Sequence, residues 1–362
     1  MNVLQVINHL DKGGGAEQFT HDIVLSFLRN GHEVTVLNVF RSPNEQLLNS
    51  VKEAGATVKT LGEKRLSLIS LFKLMKMLKS GKYDVIHVHL FPALYYCAIA
   101  KVLSFCKTPL IYTEHSTKNR RRGSRVFRFF DTIVYRQYNK VVCITDGVRE
   151  ALCRHVPTIN PVVINNGVNL QSINETQAID VRKMLGISDD SILMIMIGRL
   201  VEGKDYFTVF TTMKSLDKRF HLLCIGEGPL KEQYENEISE AALNDRVHLL
   251  GLRTDVIELI KGCDLAVLST EHEGFSISML EVMACAKPFV ASNVPGISDL
   301  VADYALLFPY RDSIALRLQI EKCITDKSIY EDYSKRSYAF ASRYDITRTA
   351  QSYMDVYKSV TK

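Results

Sequence analysis

The stretch EHEGFSISMLE, residues 271–281, places two carboxylates eight positions apart (281 − 273 = 8). Glu273 and Glu281 enclose a glycine, an aromatic ring and two serines. Carboxylates accept hydrogen bonds from hydroxyl groups, whereas the free amides at the start of a helix suit a phosphate. The stretch therefore predicts a site for a ligand that carries hydroxyls at both ends and phosphates between them.

Two cations precede this stretch in the segment IGRLVEGKDY. Arg199 and Lys204 follow an apolar, strand-like run and lie five positions apart, so both could reach one diphosphate. Arginine offers a planar fork and lysine a mobile point charge, and both would stabilise the charge that grows on a departing diphosphate. A surface salt bridge with Glu202 or Asp205 is the alternative interpretation of this pair.

A glycine-rich loop, DKGGGAEQ, occupies residues 11–18 between a predicted strand and a predicted helix. Consecutive glycines at this place let a ligand approach backbone amides closely. The dinucleotide fingerprint fails because Gln18 stands where its last glycine is required, and no Gly-Lys-Ser/Thr sequence follows. A ligand loop and a tight strand-to-helix turn both remain open.

Short apolar runs alternate with helical patterns along the whole chain. A first series contains VLQVI, HEVTVLNVF, DVIHVHL, PLIYTEH and KVVCIT, and a second begins at ILMIMIGRL and ends at PFVASN. Two such series predict an α/β protein with two doubly wound, Rossmann-like domains that face each other across a cleft. In such sheets, ligands bind at the carboxyl ends of the strands.

The predicted joint lies in VVINNGVNL, where an Asn-Asn-Gly cluster indicates a turn. The predicted domains are residues 1–165, residues 166–342, and a final helix in residues 343–362 that crosses back to the first domain. Within the second domain, SMLEVMAC predicts a helix start with Glu281 on the first turn.

The composition is that of a soluble globular protein, with 46% hydrophobic and 23% charged residues. No apolar run approaches the roughly 18 to 20 residues of a membrane span, and Met1 leads into a strand-like run instead of a signal peptide. Eight scattered cysteines without a C-x-x-C pair indicate reduced thiols. These features predict a cytoplasmic protein.

The net charge of +5 is unevenly distributed. Residues 1–165 hold 23 Lys and Arg against 12 Asp and Glu, so the first half is basic and the remainder acidic. Residues 64–82 and 118–140 contribute much of this excess, and apolar residues recur in both at helical spacing. Such segments bind anionic membranes or phosphate-bearing ligands, or they are helices with a solvated basic face.

These motifs resemble those of the retaining glycosyltransferases of the GT-B fold, family GT4. The resemblance covers nearly the whole chain in the family's order: GGGAEQ, TEH, CITDGVREAL, VINNGVNL, GRLVEGK, IGEGPLK, HLLGLRTDV, EGFSISMLEVMACAKP and SNVPGISDLV. It implies that Glu281 binds the nucleotide ribose and Glu273 the transferred sugar. It further implies that Arg199 and Lys204 bind the diphosphate.

The same resemblance assigns further positions around the donor. It implies that the backbone at Leu252 and Arg253 lies against the base, and that His115 approaches the donor sugar. A structural histidine is the alternative for His115. The remaining implied donor-site residues are Gly14, Gly15, Phe275, Ser276, Ile277 and Ser278.

Three positions depart from the family pattern. Ser276 stands where glycine is common, and Ser278 where proline is common, so the donor sugar is not assigned. Ala286 replaces a usual glycine, which predicts some strain at a helix end.

The residues also bear on the mechanism. The sequence contains no Asp-x-Asp pair and no cluster with metal-ligand spacing. We therefore expect a metal-independent enzyme without a cofactor, whose co-substrate is a nucleotide-sugar, with UDP favoured. The resemblance implies retention of anomeric configuration, and front-face attack is the mechanism that these residues favour.

The basic first domain is expected to bind the acceptor. A saccharide linked to a polyprenyl diphosphate at the cytoplasmic face of the inner membrane would suit its charge, and a soluble acceptor is the alternative. An epimerase or hydrolase of the same architecture and a dinucleotide-dependent oxidoreductase are the competing functions, and no nucleic-acid partner is expected. The arginines predicted to contact the acceptor or the membrane are Arg120, Arg121, Arg122, Arg125 and Arg128.

Overall fold

The structure is a computed structural model that describes residues 1–11, 13–42, 44–62 and 67–361. Lys12 of the glycine loop, and Lys64 and Arg65 of the first basic segment, lie outside the described residues.

The chain divides into two compact units. Unit 1 consists of Met1–Gly167 with Ile346–Lys362, and unit 2 of Val168–Asp345. The limits predicted from the sequence, after residues 165 and 342, fall a few residues earlier. Among the described residues, no helix combines the length and apolarity needed to span a bilayer.

Unit 1 is an alternating α/β unit. Its elements are β1 (Asn2–Ile7), α1 (Gly15–Arg29), β2 (Glu33–Phe40), α2 (Gln46–Glu53), β3 (Thr57–Gly62), α3 (Leu68–Lys79), β4 (Val85–His89), α4 (Ala93–Ser104), β5 (Leu110–Glu114), α5 (Arg125–Tyr135), β6 (Lys140–Cys143), α6 (Asp146–His155), β7 (Val162–Val163) and α16 (Ile346–Val360).

The described strands of unit 1 form one parallel sheet in the order β3-β2-β1-β4-β5-β6-β7. The order reverses between β1 and β4, which makes this place the switch point of a doubly wound sheet. The last helix, α16, packs against α1. It buries Tyr353 and Tyr357 completely, because apolar and aromatic residues recur along one of its faces.

Unit 2 repeats this architecture. Its elements are α7 (Leu170–Glu175), α8 (Val181–Leu185), β8 (Ile192–Ile197), α9 (Tyr206–Ser215), β9 (Phe220–Ile225), α10 (Lys231–Glu240), β10 (Val247–Leu249), α11 (Val256–Gly262), β11 (Leu265–Leu268), α12 (Ile277–Ala284), β12 (Phe289–Asn293), α13 (Ser298–Val301), β13 (Leu306–Pro309), α14 (Ser313–Thr325) and α15 (Lys327–Ala341).

The described strands of unit 2 pair in parallel in the order β10-β9-β8-β11-β12-β13, so its switch point lies between β8 and β11. The central strands are almost entirely buried, as expected for strands covered by helices on both faces. This is why they appear in the sequence as continuous apolar runs. The α/β prediction of two doubly wound sheets is confirmed.

The end of α12 has an unusual backbone conformation. Ala286 has a φ of 54°, in the left-handed region that favours glycine. The N–H of Ala286 donates to the carbonyl of Met283 (3.0 Å), and the N–H of Lys287 donates to that of Val282 (3.4 Å). These two bonds form a Schellman motif, in which glycine normally occupies the position of Ala286. The predicted strain at this residue is confirmed.

Replacing Ala286 with glycine should therefore stabilise unit 2 by about 1 kcal/mol, since it removes the steric cost of a β-carbon in a left-handed residue. We expect the thermal midpoint to rise by about 2 to 4 °C in calorimetry. The matched control is Ala241→Gly, because Ala241 also ends a helix but has a right-handed φ of −81°. A rise in both variants, or in neither, would contradict the assignment of strain.

Candidate functional site

Two loops meet at the switch point of unit 2. The loop after β8 carries Arg199 and Lys204, and the loop after β11 carries Glu273. Their backbones are joined by hydrogen bonds from Asp205 N to Ser269 O and from Glu271 N to Gly203 O, both 3.1 Å long. The sheet order therefore brings residues that are about 70 positions apart to one edge of the sheet.

Lys204 and Glu273 form an ion pair through Nζ and Oε2. Their side chains are only 17% and 19% exposed, so each charge is compensated largely by the other. The alternative salt bridges of Arg199 or Lys204 with Glu202 or Asp205 do not occur among the described residues. Asp205 instead caps α9 and accepts a hydrogen bond from the Ser269 hydroxyl (2.9 Å).

Arg199 differs from Lys204 in its surroundings. Its side chain is exposed, and within the described part of the chain it forms no ion pair. An exposed guanidinium in the same loop as a paired lysine provides a cation that is available to an anionic ligand.

The start of α12 lies beside these loops. Ser276 is its N-cap and accepts a hydrogen bond from Met279 N (3.4 Å), while its hydroxyl lies 2.9 Å from that of Ser278. The Ser278 hydroxyl lies 3.5 Å from the carbonyl of Ile197 at the end of β8. The first amides of α12 lack partners within the helix, which makes this end suitable for a phosphate.

Three other predicted residues occupy α12 or the residue before its cap. Phe275 is buried with its ring centroid 4.8 Å from that of Tyr344, and Ile277 is buried in the core. Glu281 is half-buried and is the fifth residue of the helix. The prediction that it lies on the first turn is wrong, because the helix begins at Ile277, one residue before the predicted start at Ser278.

The loop after β10 carries Leu252 and Arg253. Leu252 is 47% exposed, and Arg253 is paired with Asp255 at 2.6 Å. Gly226 N donates to the carbonyl of Gly251 (2.9 Å), which ties this loop to the one after β9. Both loops lie at the same edge of the sheet as Arg199.

In unit 1, the corresponding edge carries Gly14, Gly15 and His115. Gly14 is the N-cap of α1 and Gly15 its first residue, and a β-carbon at Gly14 would meet the Glu17 carboxylate. His115 follows β5, and its ring lies 5.6 Å from that of Phe19 on α1.

His115 belongs to a chain of hydrogen bonds that the sequence did not reveal. Its Nε2 lies 3.1 Å from His89 Nδ1, and His89 Nε2 lies 2.9 Å from the amide oxygen of Gln5. Burial lowers the pKa of His115 to about 3 and that of His89 well below its usual value, so both rings are neutral near pH 7. His115 therefore has structural contacts as well as a place at the sheet edge.

The predicted arginines of unit 1 fall into two groups. Arg120, Arg125 and Arg128 are exposed. Arg121 is buried and pairs with Asp131 at 2.5 Å, so it is not available to a membrane surface.

Arg122 is only 11% exposed and lies 3.4 Å from the Glu114 carboxylate. Its Nε has no hydrogen-bond partner in the described part of the chain.

Sequence reasoning missed the acidic residues that hold these arginines. Asp131 also accepts hydrogen bonds from Tyr95 (2.6 Å) and pairs with His155 (2.8 Å). Glu114 accepts a hydrogen bond from Tyr135 (2.9 Å). A single aspartate within the basic segment 118–140 was the only available signal, and it gives no indication of burial.

Two family models match the chain. The model described as Glycosyltransferase Family 4 matches residues 13–172, and the one described as Glycosyl transferases group 1 matches residues 178–340. Together they cover most of the sequence; the first lies in unit 1 except for its last five residues, and the second lies within unit 2.

Individual relatives are similar along most of their length. An Escherichia coli protein, UDP-Gal:alpha-D-GlcNAc-diphosphoundecaprenol alpha-1,3-galactosyltransferase, is 27% identical over 78% of this chain and 81% of its own. An uncharacterized glycosyltransferase of Methanocaldococcus jannaschii is 25% identical over 89% of this chain and 91% of its own.

Solved structures show the same fold. Anabaena HepE, solved with UDP and glucose, superposes with a TM-score of 0.84 at 21% identity, over 98% of this chain and 99% of that one. WaaG, a glycosyltransferase involved in lipopolysaccharide biosynthesis, superposes with a TM-score of 0.73 at 15% identity over the same shares of the two chains. The predicted GT-B fold is confirmed.

The serine cap of α12 can be tested by two substitutions. Ser276→Ala should destabilise unit 2 by about 1 kcal/mol because the cap is lost, whereas Ser276→Gly should cost only a few tenths. Denaturant unfolding of the protein without ligands measures both values. Ser278→Ala, which removes a neighbouring hydroxyl that caps no amide, is the control. A loss for Ser276→Ala no larger than that for Ser278→Ala would show that the Ser276 hydroxyl does not cap the helix.

Proposed function

Because the chain belongs to the group 1 glycosyltransferases of family 4, we propose that it transfers a sugar from a UDP-sugar to a lipid-linked saccharide acceptor with retention of configuration. The observation that carries this proposal is the Lys204–Glu273 pair at the switch point of unit 2, where Lys204 shares the loop after β8 with Arg199. A role in assembling a bacterial surface polysaccharide or another glycan follows from such an acceptor.

Both cationic and anionic side chains bind the donor. Arg199 and Lys204 bind the diphosphate, together with the first amides of α12. Glu273 accepts hydrogen bonds from hydroxyls of the transferred sugar, and Glu281 from the ribose. Leu252 and the backbone at Arg253 lie against the base.

The chemistry follows from these contacts. As the bond between the anomeric carbon and the diphosphate breaks, negative charge grows on the leaving group, where the two cations and the helix amides stabilise it. The acceptor hydroxyl attacks from the same face, and a donor phosphate oxygen takes its proton, so the configuration is retained. The chain itself supplies the neutralising groups, which supports a metal-independent reaction.

Two observations support UDP and a lipid-linked acceptor. The E. coli relative is named for transfer from UDP-Gal to a saccharide linked to diphosphoundecaprenol. HepE, which shares the fold, was solved with UDP.

Removing either cation should lower turnover of the UDP-sugar by about 10²-fold or more, because each stabilises charge that develops in the transition state. The variants are Arg199→Ala and Lys204→Ala. Release of UDP in the presence of acceptor measures their kcat, over a screen of UDP-, GDP- and ADP-sugars.

The matched controls are Arg219→Ala and Lys214→Ala, which remove exposed cations of unit 2 that pair with Asp217 and Glu237. These variants should keep wild-type turnover, and EDTA should have no effect. NMR of the fresh product reports the anomeric configuration. An inverted product would refute retention, and sugar release without any acceptor would favour the hydrolase alternative.

Unit 1 offers a surface for the lipid part of the acceptor. We define the α3–α5 surface as the large apolar side chains exposed on α3, α4 and α5, together with Phe105, the residue that follows α4. Phe129, for example, is 64% exposed and Phe72 is 68% exposed. Their helical spacing in the sequence was also compatible with an apolar face packed on the core. The surface consists of Leu68, Ile69, Phe72, Ile99, Val102, Leu103, Phe105, Val126, Phe127, Phe129, Phe130 and Ile133.

Basic residues accompany this apolar surface. Arg125 and Arg128 are exposed on α5, and Arg120 precedes it. Exposed aromatic side chains next to cations suit the interface of an anionic membrane, where rings enter the acyl boundary and cations meet phosphates. We therefore place unit 1 peripherally on the cytoplasmic face of the inner membrane. Arg122, with its unpaired Nε, is the candidate for a phosphate of the acceptor.

The double variant Phe129→Ser/Phe130→Ser should weaken binding to phosphatidylglycerol vesicles at low salt by at least about tenfold. The reason is that the bound protein would no longer insert these two aromatic rings into the bilayer. Co-sedimentation measures the bound fraction. Leu318→Ser is the control, since Leu318 is 54% exposed on α14 of unit 2. Failure of the wild-type protein to bind these vesicles, or unchanged binding of the double variant, would refute the membrane surface.

A further inference from the structure

A buried polar network connects His115 to the last helix of the chain. Beyond His89, the Gln5 side-chain nitrogen donates to the Tyr357 hydroxyl (3.2 Å), which lies 2.6 Å from His87 Nδ1. His87 Nε2 lies 2.7 Å from the Thr113 hydroxyl, and that hydroxyl lies 3.0 Å from the Tyr353 hydroxyl.

Every member of this network except His115 is at most 1% exposed. His115 alone is partly exposed, at the sheet edge. The network therefore runs from the interior of unit 1 to one partly exposed imidazole, that of His115.

The direction of each hydrogen bond can be followed along the network. Gln5 donates through its nitrogen to Tyr357, so its oxygen must accept, and the Nε2 of His89 must carry the hydrogen. A neutral imidazole has one N–H only, and therefore His89 Nδ1 accepts. His115 Nε2 must then be the donor across the 3.1 Å contact.

The geometry at Tyr357 agrees with this direction. Its contact with His87 Nδ1 is short at 2.6 Å, as expected when a hydroxyl donates, whereas its contact with the Gln5 nitrogen is longer at 3.2 Å. Tyr357 thus accepts from Gln5 and donates to His87. Since a hydroxyl has one hydrogen, its donation to His87 keeps the Gln5 amide from reversing.

We propose that Tyr357 and Gln5 are positioning residues that hold His115 as the neutral tautomer with its hydrogen on Nε2, so that Nδ1 accepts a hydrogen bond from a sugar hydroxyl. Nδ1 has no partner among the described residues. Phe19 supports the arrangement because its ring contacts those of both His89 and His115. The inference rests on the proposed function in one respect, that His115 faces the sugar.

The tautomer can be read without substrates. In protein labelled with ¹⁵N-histidine, long-range ¹H–¹⁵N correlation distinguishes protonated from bare ring nitrogens, and a His115→Gln variant assigns the signals. We expect His115 to carry its hydrogen on Nε2 in the wild-type protein. In Tyr357→Phe, the Gln5 amide can reverse, so we expect both tautomers of His115 and a kcat about three- to tenfold lower, the size of one net hydrogen bond.

The matched control is Tyr353→Phe. Tyr353 lies one turn earlier on α16 and is equally buried. Among the described residues its hydroxyl bonds only to Thr113, at the end of the network, and phenylalanine keeps the ring that packs against His87, so the tautomer should be unchanged. A wild-type His115 with hydrogen on Nδ1, or a Tyr357→Phe variant with an unchanged tautomer, would overturn the proposal. If the wild-type protein turned over no nucleotide-sugar, the proposed function would fail while the tautomer assignment stood.

Discussion

The candidate donor site depends on the compensation of two poorly exposed charges. An ammonium or a carboxylate with less than a fifth of its side chain exposed is costly unless it is paired, and Lys204 and Glu273 provide partners for each other. On the proposed function, the donor exchanges this pair for two new ones. The diphosphate becomes the partner of Lys204, and sugar hydroxyls become donors to Glu273. The resting ion pair thus holds both side chains in place before the ligand arrives.

Much of the fold could be predicted because parallel strands are buried on both faces. Strands such as β8 and β11 are continuous apolar runs, and they were recognised. The edge strand β3 was not, because only one of its six residues is buried and it lacks an apolar run. β7, which has two residues, and β13 were also missed. Strands at the edge of a sheet are less buried than central strands, so the continuous apolar run that identifies a buried strand in the sequence is weaker there.

The candidate site was predictable only where residue type and strand ends sufficed. Lys204 and Glu273 follow neighbouring strands, so the topology alone brings them together. Arg121 was expected at the surface but is buried, because its partner Asp131 accepts hydrogen bonds from distant side chains that no local pattern connects to it. Likewise, Tyr357 lies 270 positions from His87, and only the packing of α16 reveals their contact.

The polar side chains of the two candidate sites are stabilised in different ways. In the candidate donor site of unit 2, the opposite charges of Lys204 and Glu273 compensate each other. Around His115 in unit 1, burial lowers the pKa of His87, His89 and His115, so these side chains form a network of neutral donors and acceptors. A neutral network avoids the desolvation cost of a buried charge but has two possible directions, and a hydroxyl with one hydrogen selects between them. The last helix of the chain supplies that hydroxyl to unit 1, although 178 residues of unit 2 precede it (345 − 168 + 1 = 178).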